Sequence, residues 1–400
     1  MRFPGFTDEW KRIKVSDLLD FYTTNSLSWE MLNYEDGDIQ NLHYGLIHSG
    51  LPTLIDLKRD TLPFVNDTAK PKNYTLCKEG DIAFADASED TNDVAKAIEF
   101  INLEGQQVIS GLHTIHGRDN GNKTVVGFKG YAFASSSFHN QIRRIAQGTK
   151  IYSISSKSFD EVFISIPNKA EQTKIARLLH LIDERITTQN KIIEDLKKLK
   201  SAIIDQIIDS SNFPKIRFEE LYDKAGEGGT PSTSISEYYT DGTIPFVKID
   251  DLSNKYLFDS KDHITELGLG KSSAWLIPIN SILYSNGATI GEISINKTPV
   301  CTKQGILGII PKKEFDVEYL YYFMSSTYFQ KQVERIVTEG TMRTAYLKDI
   351  NHIECPVPDY EKQIGISQIL RSFSNKIEIE QRLLTNYIQQ KEYLLKSLFI

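Results

Sequence analysis

The sequence predicts an α+β protein made of two globular domains and two long helices. The helices are expected to pair as an antiparallel coiled coil, and the two halves to be related by an internal pseudo-two-fold repeat. Three observations lead to this fold class. A segment of the first half recurs in the second. Each copy carries apolar residues at 3.5-residue spacing. β-rich runs such as "EVFISIP" and "GILGIIP", separated by turns such as "GRDNGNK", precede each copy.

The repeat has an offset of 191 residues. The stretch "IPNKAEQTKIARLL" from Ile166 aligns with "VPDYEKQIGISQIL" from Val357, which matches Pro167 to Pro358. An Arg-Ile pair and a Gly-Thr pair precede both stretches, although the two Gly-Thr pairs differ by one residue in register. We therefore expect globular domains at residues 1–165 and 211–356, and helices at residues 166–210 and 357–400.

Polar residues interrupt both apolar seams at equivalent positions. Alternate steps of four and three from Ile175, and the same steps in the second helix, give ten positions per helix, of which eight are apolar. The exceptions are Gln189 and Lys200 in the first helix and Glu380 and Lys391 in the second. An antiparallel pair can place Lys200 against Glu380. It can also place Gln189 against Lys391, whereas a parallel pair would stack Lys200 on Lys391. The alternative is two unrelated amphipathic helices, each packed on its own domain.

The helix starts carry capping residues. Asn168 with Glu171 three residues later fits a capping box. Asp359 can cap the second helix without the reciprocal acid.

Bulk composition indicates a cytoplasmic protein without a membrane span. The 400 residues carry a formal net charge of -7 and lack an apolar run of about 18 residues. Three cysteines, Cys77, Cys301 and Cys355, have no CxxC spacing. A disulfide framework and a zinc site are therefore not expected.

Catalytic motifs are weak throughout. "LGLGKSS" resembles the end of a P-loop but lacks the earlier glycine. "HTIH" lies in a strand pattern that points His113 and His116 to opposite faces, which disfavours a shared metal. We find no arrangement typical of a methyltransferase or a nuclease. The sequence therefore predicts a binding protein without catalytic or metal-binding residues.

Charge is sorted along the chain in a way that suits nucleic acid. Residues 118–150 carry six Lys or Arg against one acid, whereas residues 81–104 carry seven acids against one lysine. Small hydroxyl-bearing turns suit phosphate, Asn and Gln suit adenine, and Lys suits guanine or phosphate. The candidate DNA-binding residues are Arg118, Asn122, Lys123, Arg143, Arg144, Thr149, Lys150 and Tyr152 in the first half, and Thr230, Ser232, Asn286, Lys303, Gln304, Thr341, Arg343 and Lys348 in the second.

The ordered set of motifs resembles the specificity subunit of type I restriction-modification systems over essentially the whole chain. These motifs are "RFPGFTDEW", "GDIAFADASEDT" and "SGLHTI" in the first half, the helix start "PNKAEQTKIARLL", and "GGTPS", "IPFVKIDDL", "ATIGE" and "GTMRTAYLKDINHIECPVP" followed by "KQIGISQIL" in the second. One departure is Lys362, where the first half and the family pattern have Glu before Gln.

The resemblance implies a non-catalytic subunit with two target-recognition domains that read a bipartite, asymmetric sequence in double-stranded DNA. It also implies two methyltransferase subunits that use S-adenosylmethionine, and two restriction subunits that use ATP and Mg. Those cofactors would belong to the partners. The alternatives are a modification-only specificity subunit and a coiled-coil scaffold without DNA specificity.

Overall fold

A computed structural model of the chain, which describes residues 2–210, 213–338 and 343–399, divides into two units. The first contains residues 1–190 and 382–400, and the second contains residues 191–381. Each unit therefore combines a mixed α and β body with one end of each long helix. Within the described ranges, no helix combines the length and apolar character that a membrane span requires.

The first unit holds the body that precedes the first long helix. Its described strands are β1 (Lys11–Lys14), β2 (Asp20–Tyr22), β3 (Leu32–Asn33), β4 (Ile39–Leu42), β5 (Leu54–Asp56), β6 (Phe64–Val65), β7 (Ile82–Ala85), β8 (Ala87–Ser88), β9 (Ala97–Asn102), β10 (Gln107–Ser110), β11 (Thr114–Arg118), β12 (Tyr152–Ser153) and β13 (Phe163–Ile166). Its helices are α1 (Val15–Leu18), α2 (Tyr44–His48), α3 (Phe128–Phe133), α4 (Ser136–Ile145) and the first part of the long helix α5 (Lys169–Ser210).

The second unit holds the body that follows α5. Its described strands are β14 (Lys215–Arg217), β15 (Tyr222–Glu227), β16 (Ile244–Val247), β17 (Tyr256–Leu257), β18 (His263–Ile264), β19 (Ile282–Ser285), β20 (Ile293–Asn296), β21 (Cys301–Thr302), β22 (Ile306–Pro311) and β23 (Glu354–Pro356). Its helices are α6 (Glu266–Gly270), α7 (Val317–Met324), α8 (Thr327–Ile336), α9 (Leu347–Ile350) and the first part of the long helix α10 (Tyr360–Leu398).

The two bodies share one sheet topology. In the described residues the main sheet has the order β2-β11-β7-β9-β5 in the first unit and β15-β22-β19-β20-β17 in the second. In each, the last pair is parallel and the others antiparallel. A smaller sheet joins β10 to β4 and β21 to β16 in parallel. This agreement confirms the predicted α+β class and the internal repeat.

The central strand of each main sheet is buried on both faces. In β7, Ile82 and Phe84 face a core that includes α3 and α4, while Ala83 faces a core that includes residues of β4 and β10. In β19, Tyr284 belongs to one core and Leu283 belongs to a second core on the other face of the sheet. The continuous apolar run of these strands follows from burial on both sides.

The helices that follow the sheet repeat at the sequence offset. α4 at 136–145 and α8 at 327–336 differ by 191 residues at both ends. Both begin at a serine cap, since the hydroxyl of Ser135 accepts from the Phe138 N–H at 3.3 Å and that of Ser326 from the Phe329 N–H at 3.2 Å.

The long helices pack in opposite directions within each unit. In the first unit, Ile175 and Leu179 near the start of α5 share a core with Leu394 and Leu398 near the end of α10. In the second unit, residues near the end of α5, including Ile204 and Ile208, share a core with Leu370 near the start of α10. The antiparallel pairing is therefore confirmed, and both helices also supply core to the bodies.

The observed contact of Lys391 differs from the predicted register of polar residues. In the first unit the Lys391 Nζ lies 2.6 Å from Asp183 Oδ1, six residues before the predicted partner Gln189. Asp183 flanks the apolar seam, and it also accepts from the Tyr131 hydroxyl at 2.8 Å. Lys391 therefore pairs with Asp183, a carboxylate beside the seam, rather than with a residue of the seam itself.

Lys200 also has a neighbour other than its predicted partner Glu380. The Lys200 Nζ lies 5.0 Å from the ring centroid of Tyr322, whose hydroxyl lies 3.3 Å from Ser374 Oγ. Glu380, six residues after Ser374, forms an ion pair with Lys376 of its own helix. The Lys200 ammonium therefore lies against the ring of Tyr322 in the body of the second unit.

Glu171 departs from the predicted capping box. The Asn168 side chain does cap the helix, since it accepts from the Glu171 N–H at 3.0 Å. The buried Glu171 carboxylate instead accepts from Arg2 at 2.7 and 3.2 Å and from Trp10 Nε1 at 3.2 Å. Asp359 caps α10 as predicted, because its carboxylate accepts from the Lys362 N–H at 3.0 Å.

Exchanging the charges of Asp183 and Lys391 tests the observed register. Lys391→Asp alone should lower the free energy of unfolding by about 2 kcal/mol, because it places two carboxylates together in a partly buried site. The double variant Asp183→Lys/Lys391→Asp should recover part of this loss. Thermal unfolding provides the measurement, and a double variant no more stable than Lys391→Asp would contradict the register.

The pH dependence of stability tests the surroundings of Lys200. Burial, with a smaller contribution from the Lys255 ammonium, lowers the pKa of Lys200 to about 8. Between this value and its ordinary value of 10.5, the unfolded chain binds more protons than the folded chain, so stability should rise with pH. From pH 7.5 to 9.5 the wild type should gain on the order of 1 kcal/mol relative to Lys200→Met. If the free energy of unfolding changed equally with pH in the wild type and in Lys200→Met, the lowered pKa of Lys200 would be contradicted.

Candidate nucleic-acid interface

Four loops converge at one edge of the second unit. The Gly305 N–H donates to Glu227 Oε1 at 2.8 Å, and the Asn286 N–H donates to the Gly305 carbonyl at 3.0 Å. Gly287 forms a β-bridge with Thr344. We call residues 227–230, 285–288, 302–305 and 343–345 the loop face of the second unit.

The first unit has a loop face with the same connections. The Asp86 N–H donates to the His113 carbonyl at 3.0 Å, as Asn286 does to Gly305. The Asp86 carbonyl in turn accepts from the Ile154 N–H at 2.9 Å, which matches the bond from Ala345 to Asn286. The loop face of the first unit comprises residues 42–48, 86–88, 111–113 and 147–153.

Equivalent loops carry different residues in the two units. The N–H of Gly111 donates to the Leu42 carbonyl, and the N–H of Lys303 donates to the Val247 carbonyl, both at 2.9 Å. The segment Gly111-Leu112-His113 is therefore the structural counterpart of Lys303-Gln304-Gly305. The side chains of His113, Lys303 and Gln304 are exposed. Two loops with the same backbone hydrogen bonds thus present the imidazole of His113 in one unit, and the ammonium of Lys303 and the amide of Gln304 in the other.

Close backbone approach explains the glycines of "GGTPS". A Cβ on Gly228 would lie 2.1 Å from the Thr302 carbonyl oxygen, and one on Gly229 would lie 2.4 Å from the carbonyl carbon of Ser273. Thr230 follows on the loop face with an exposed side chain. The exposed Ser232 hydroxyl lies 2.8 Å from Ser234 Oγ.

Asn286 is a structural residue, contrary to the prediction that it contacts DNA. Its side chain is buried, and its Nδ2 donates to the Ala345 carbonyl at 3.2 Å. The Ala345 N–H donates back to the Asn286 carbonyl at 2.8 Å. Asn286 therefore joins two loops of the face and has no exposed amide with which to read adenine.

A β-hairpin tip lies on the loop face of the first unit. Gln147 and Ser153 exchange backbone hydrogen bonds at 3.1 and 2.8 Å. Gly148 has φ +138, and a Cβ there would lie 1.8 Å from the Ile151 carbonyl oxygen, so only glycine fits. Thr149 and Lys150 are exposed at the tip. Tyr152 is half-buried and lies in β12, which pairs with β8.

The second unit has a counterpart of this hairpin. Thr338 and Thr344 form a β-bridge at positions offset by 191 residues from Gln147 and Ser153. Thr341 lies outside the described residues, while Arg343 is described and exposed.

Helix ends near the hairpins carry further cations. Arg143 is exposed, but its guanidinium donates to Asn92 Oδ1 at 2.8 Å and to the Asn140 side chain. Arg144 and Lys348 are exposed. The sequence analysis missed their exposed counterparts Arg335 and Lys157, which the 191-residue offset could have identified.

The predicted basic stretch of the first half does not form one patch. Asn122 and Lys123 follow the end of β11 that lies opposite His113, and the Lys123 Nζ donates to the Asp17 carbonyl at 2.6 Å. Arg118 ends the same strand. Because β11 separates these residues from the hairpin tip, we exclude Arg118, Asn122 and Lys123 from the candidate interface.

Arg118 belongs to a buried ion-pair network. Its Nε and Nη2 donate to the two oxygens of Asp81, each at 2.7 Å, and His116 Nε2 lies 2.7 Å from Asp81 Oδ2. Burial raises the pKa of Asp81, but hydrogen bonds from Arg118 and His116 outweigh it and hold that pKa below its ordinary value. Arg118 therefore compensates a buried carboxylate.

Cys77 lies beside this network, so that Cys77, Asp81 and His116 bring three potential metal-ligand atoms within 4.8 Å of one another. The set does not suit a cation. The Arg118 guanidinium already neutralises Asp81, and burial raises the pKa of the Cys77 thiol, which disfavours the thiolate that a metal requires.

The sequence analysis also missed a cluster of aromatic rings on the first loop face. The ring centroid of Trp29 lies 4.4 Å from that of His43, and His43 lies 4.7 Å from Tyr44. Tyr44 contacts His113 edge-on at 5.1 Å and His48 at 6.0 Å. These residues are scattered from 29 to 113, so no local motif marks the cluster.

Comparison with known proteins gives one consistent family. The family model described as type I restriction modification DNA specificity domain matches residues 7–198 and again residues 211–389. The type I restriction enzyme MjaIX specificity subunit of Methanocaldococcus jannaschii is 32% identical over 42% of this chain, but the match spans only 39% of that protein. The putative MjaX specificity subunit of the same organism is 25% identical over 76% of this chain and 73% of its own length.

Solved structures support the fold. The S subunit of a type I restriction-modification system from M. genitalium aligns with a TM-score of 0.55 at 17% sequence identity, covering 100% of this chain and 99% of that one.

Removing one cation from each location distinguishes the loop face from the buried network. Lys150→Ala should reduce the dependence of log DNA affinity on log salt by about one unit and leave thermal stability unchanged. Arg118→Ala should instead cost about 3 kcal/mol of stability, because it leaves Asp81 buried without its cation, and should leave the salt dependence unchanged. If Lys150→Ala lowered the stability and Arg118→Ala reduced the salt dependence, the proposed interface would be contradicted.

Proposed function

Because the chain belongs to the type I restriction modification DNA specificity family, we propose that it is the sequence-specific DNA-recognition subunit of a type I restriction-modification complex. Each unit reads one half-site of a bipartite target. The proposed target-recognition domains are residues 1–165 and 211–356, and the proposed helices are residues 166–210 and 357–400.

One observation carries this proposal: the two units repeat a scaffold but not its loops. Loops 111–113 and 303–305 occupy equivalent backbone positions, yet they present Leu112 and His113 in one unit and Lys303 and Gln304 in the other. Base identity is read by side chains that reach base edges. Two different reading loops therefore favour two different half-sites and an asymmetric target.

The charge distribution supports contact with phosphate. Lys150, Lys303 and Arg343 are exposed on the loop faces, although the chain carries a net charge of -7. Exposed cations on one surface let a protein with a negative net charge contact a polyanion there.

Partner subunits supply the chemistry in this proposal. Two methyltransferase subunits bind S-adenosylmethionine, and two restriction subunits use ATP and Mg, while this chain selects the DNA in the cytoplasm. Two pairs of exposed cations repeat at the 191-residue offset, Arg144 with Arg335 and Lys157 with Lys348. Such repeated surfaces suit a partner of which two copies bind, one to each unit.

A modification-only system is the alternative, and it is less favoured because the relatives are named as subunits of type I restriction enzymes. Infection of cells that carry the complete gene set by unmethylated phage separates the two. A scaffold without DNA specificity is disfavoured, because it would not require different side chains on equivalent exposed loops.

Exchange of one domain tests the proposal. Residues 1–165 are replaced by the corresponding domain of another specificity subunit, and methyladenine is mapped in cells that also express the methyltransferase. Because each unit has its own loop face, one half of the methylated motif should change while the other half is retained.

The reciprocal exchange of residues 211–356 is the matched control and should change only the other half. Modular reading is rejected if either exchange alters both halves, or if neither exchange alters the motif.

A further inference from the structure

We propose that His113 contacts a base edge and helps to set the identity of one half-site. This inference rests on the proposed function and deepens it by assigning a specificity-determining residue to the first loop face.

Its position is the first argument. His113 ends loop 111–113, the counterpart of loop 303–305, where the predicted base-reading residues Lys303 and Gln304 lie. In the first unit the two residues before it are Gly111 and Leu112, neither of which has a polar side chain. His113 is therefore the residue of this loop whose side chain can hydrogen-bond to a base.

Backbone strain is the second argument. His113 has φ +54, in the left-handed region that favours glycine, and its counterpart Gly305 has φ +91. Glycine would thus satisfy the backbone at this position in both units. Its side chain is also 51% exposed, so burial in a core does not explain the histidine. An exposed histidine at a position where glycine would satisfy the backbone is a candidate for a functional role.

The neighbours of His113 hold its ring in place. Asp86 Oδ1 accepts from His113 Nδ1 at 3.2 Å, and Tyr44 contacts the ring edge-on at 5.1 Å between centroids. Tyr44 in turn packs on His43, which contacts Trp29. A ring held on two sides loses little entropy when it binds.

The second ring nitrogen supplies the chemistry. Within the described residues, His113 Nε2 has no hydrogen-bond partner, whereas Nδ1 is engaged by Asp86. With Nδ1 as the donor, Nε2 of the neutral ring accepts a hydrogen bond, as the amino group of adenine or cytosine requires. In the protonated ring it donates, which suits the acceptors of guanine.

The variant His113→Gly separates recognition from stability, because it removes the imidazole and relieves the strain. We expect thermal stability to be unchanged or to rise by about 1–3 °C. Binding of the full chain, assembled with its methyltransferase subunits, is measured on duplexes with each base pair of the target varied in turn. Preference at one position of one half-site should fall by about tenfold, and the other half-site should be unaffected.

Asn122→Gly is the matched control. Asn122 also has a left-handed backbone, with φ +48, but it lies beyond the opposite end of β11. It should share the change in thermal stability without any change in base preference.

Three results would overturn the inference. These are an unchanged preference in His113→Gly, an equal loss for every sequence, which indicates phosphate contact, and a fall in thermal stability that accounts for the lost binding. If the wild-type complex itself prefers no sequence, the proposed function fails and the inference fails with it. Selective loss at one position supports both.

Discussion

Antiparallel packing of the two long helices is the constraint on which both units depend. In the first unit, Ile175 and Leu179 of α5 are fully buried in one core with Leu398 of α10. In the second unit, Ile208 near the end of α5 and Leu370 near the start of α10 share a core. Burial of each such side chain contributes about 1.5–3 kcal/mol, so the helices supply part of the stability of each body. The helices are therefore structural parts of both units.

The two units share a scaffold but differ in their loops. Sheet order, the helices after the sheet and the serine caps repeat in both units, whereas residues 111–113 and 303–305 do not. Side chains on exposed loops add little to the core, so exchange of these loop residues costs little stability. In the proposed function, that separation allows one scaffold to read two different half-sites.

The antiparallel direction was predicted correctly, although from polar pairs that differ from the observed contacts. The fold class and the repeat were predictable because the repeated segment and its apolar periodicity are visible in the sequence. The register was not. Lys391 pairs with Asp183, which lies beside the seam. The prediction compared only the seam positions of the two helices, so it could not identify this partner. The basic stretch was misjudged because β11 places Arg118 and His113 at opposite ends. His113 was missed as a DNA-binding residue because its significance depends on a backbone angle and on its equivalence to Gly305.

The methylated motif of the wild-type system tests the central claim most directly. Single-molecule sequencing of genomic DNA from cells that carry this chain and its methyltransferase should identify methyladenine in a bipartite motif. We predict that its two halves differ in sequence and are separated by unread base pairs, because the two loop faces differ. A palindromic motif, or methylation without a defined sequence, would contradict the account.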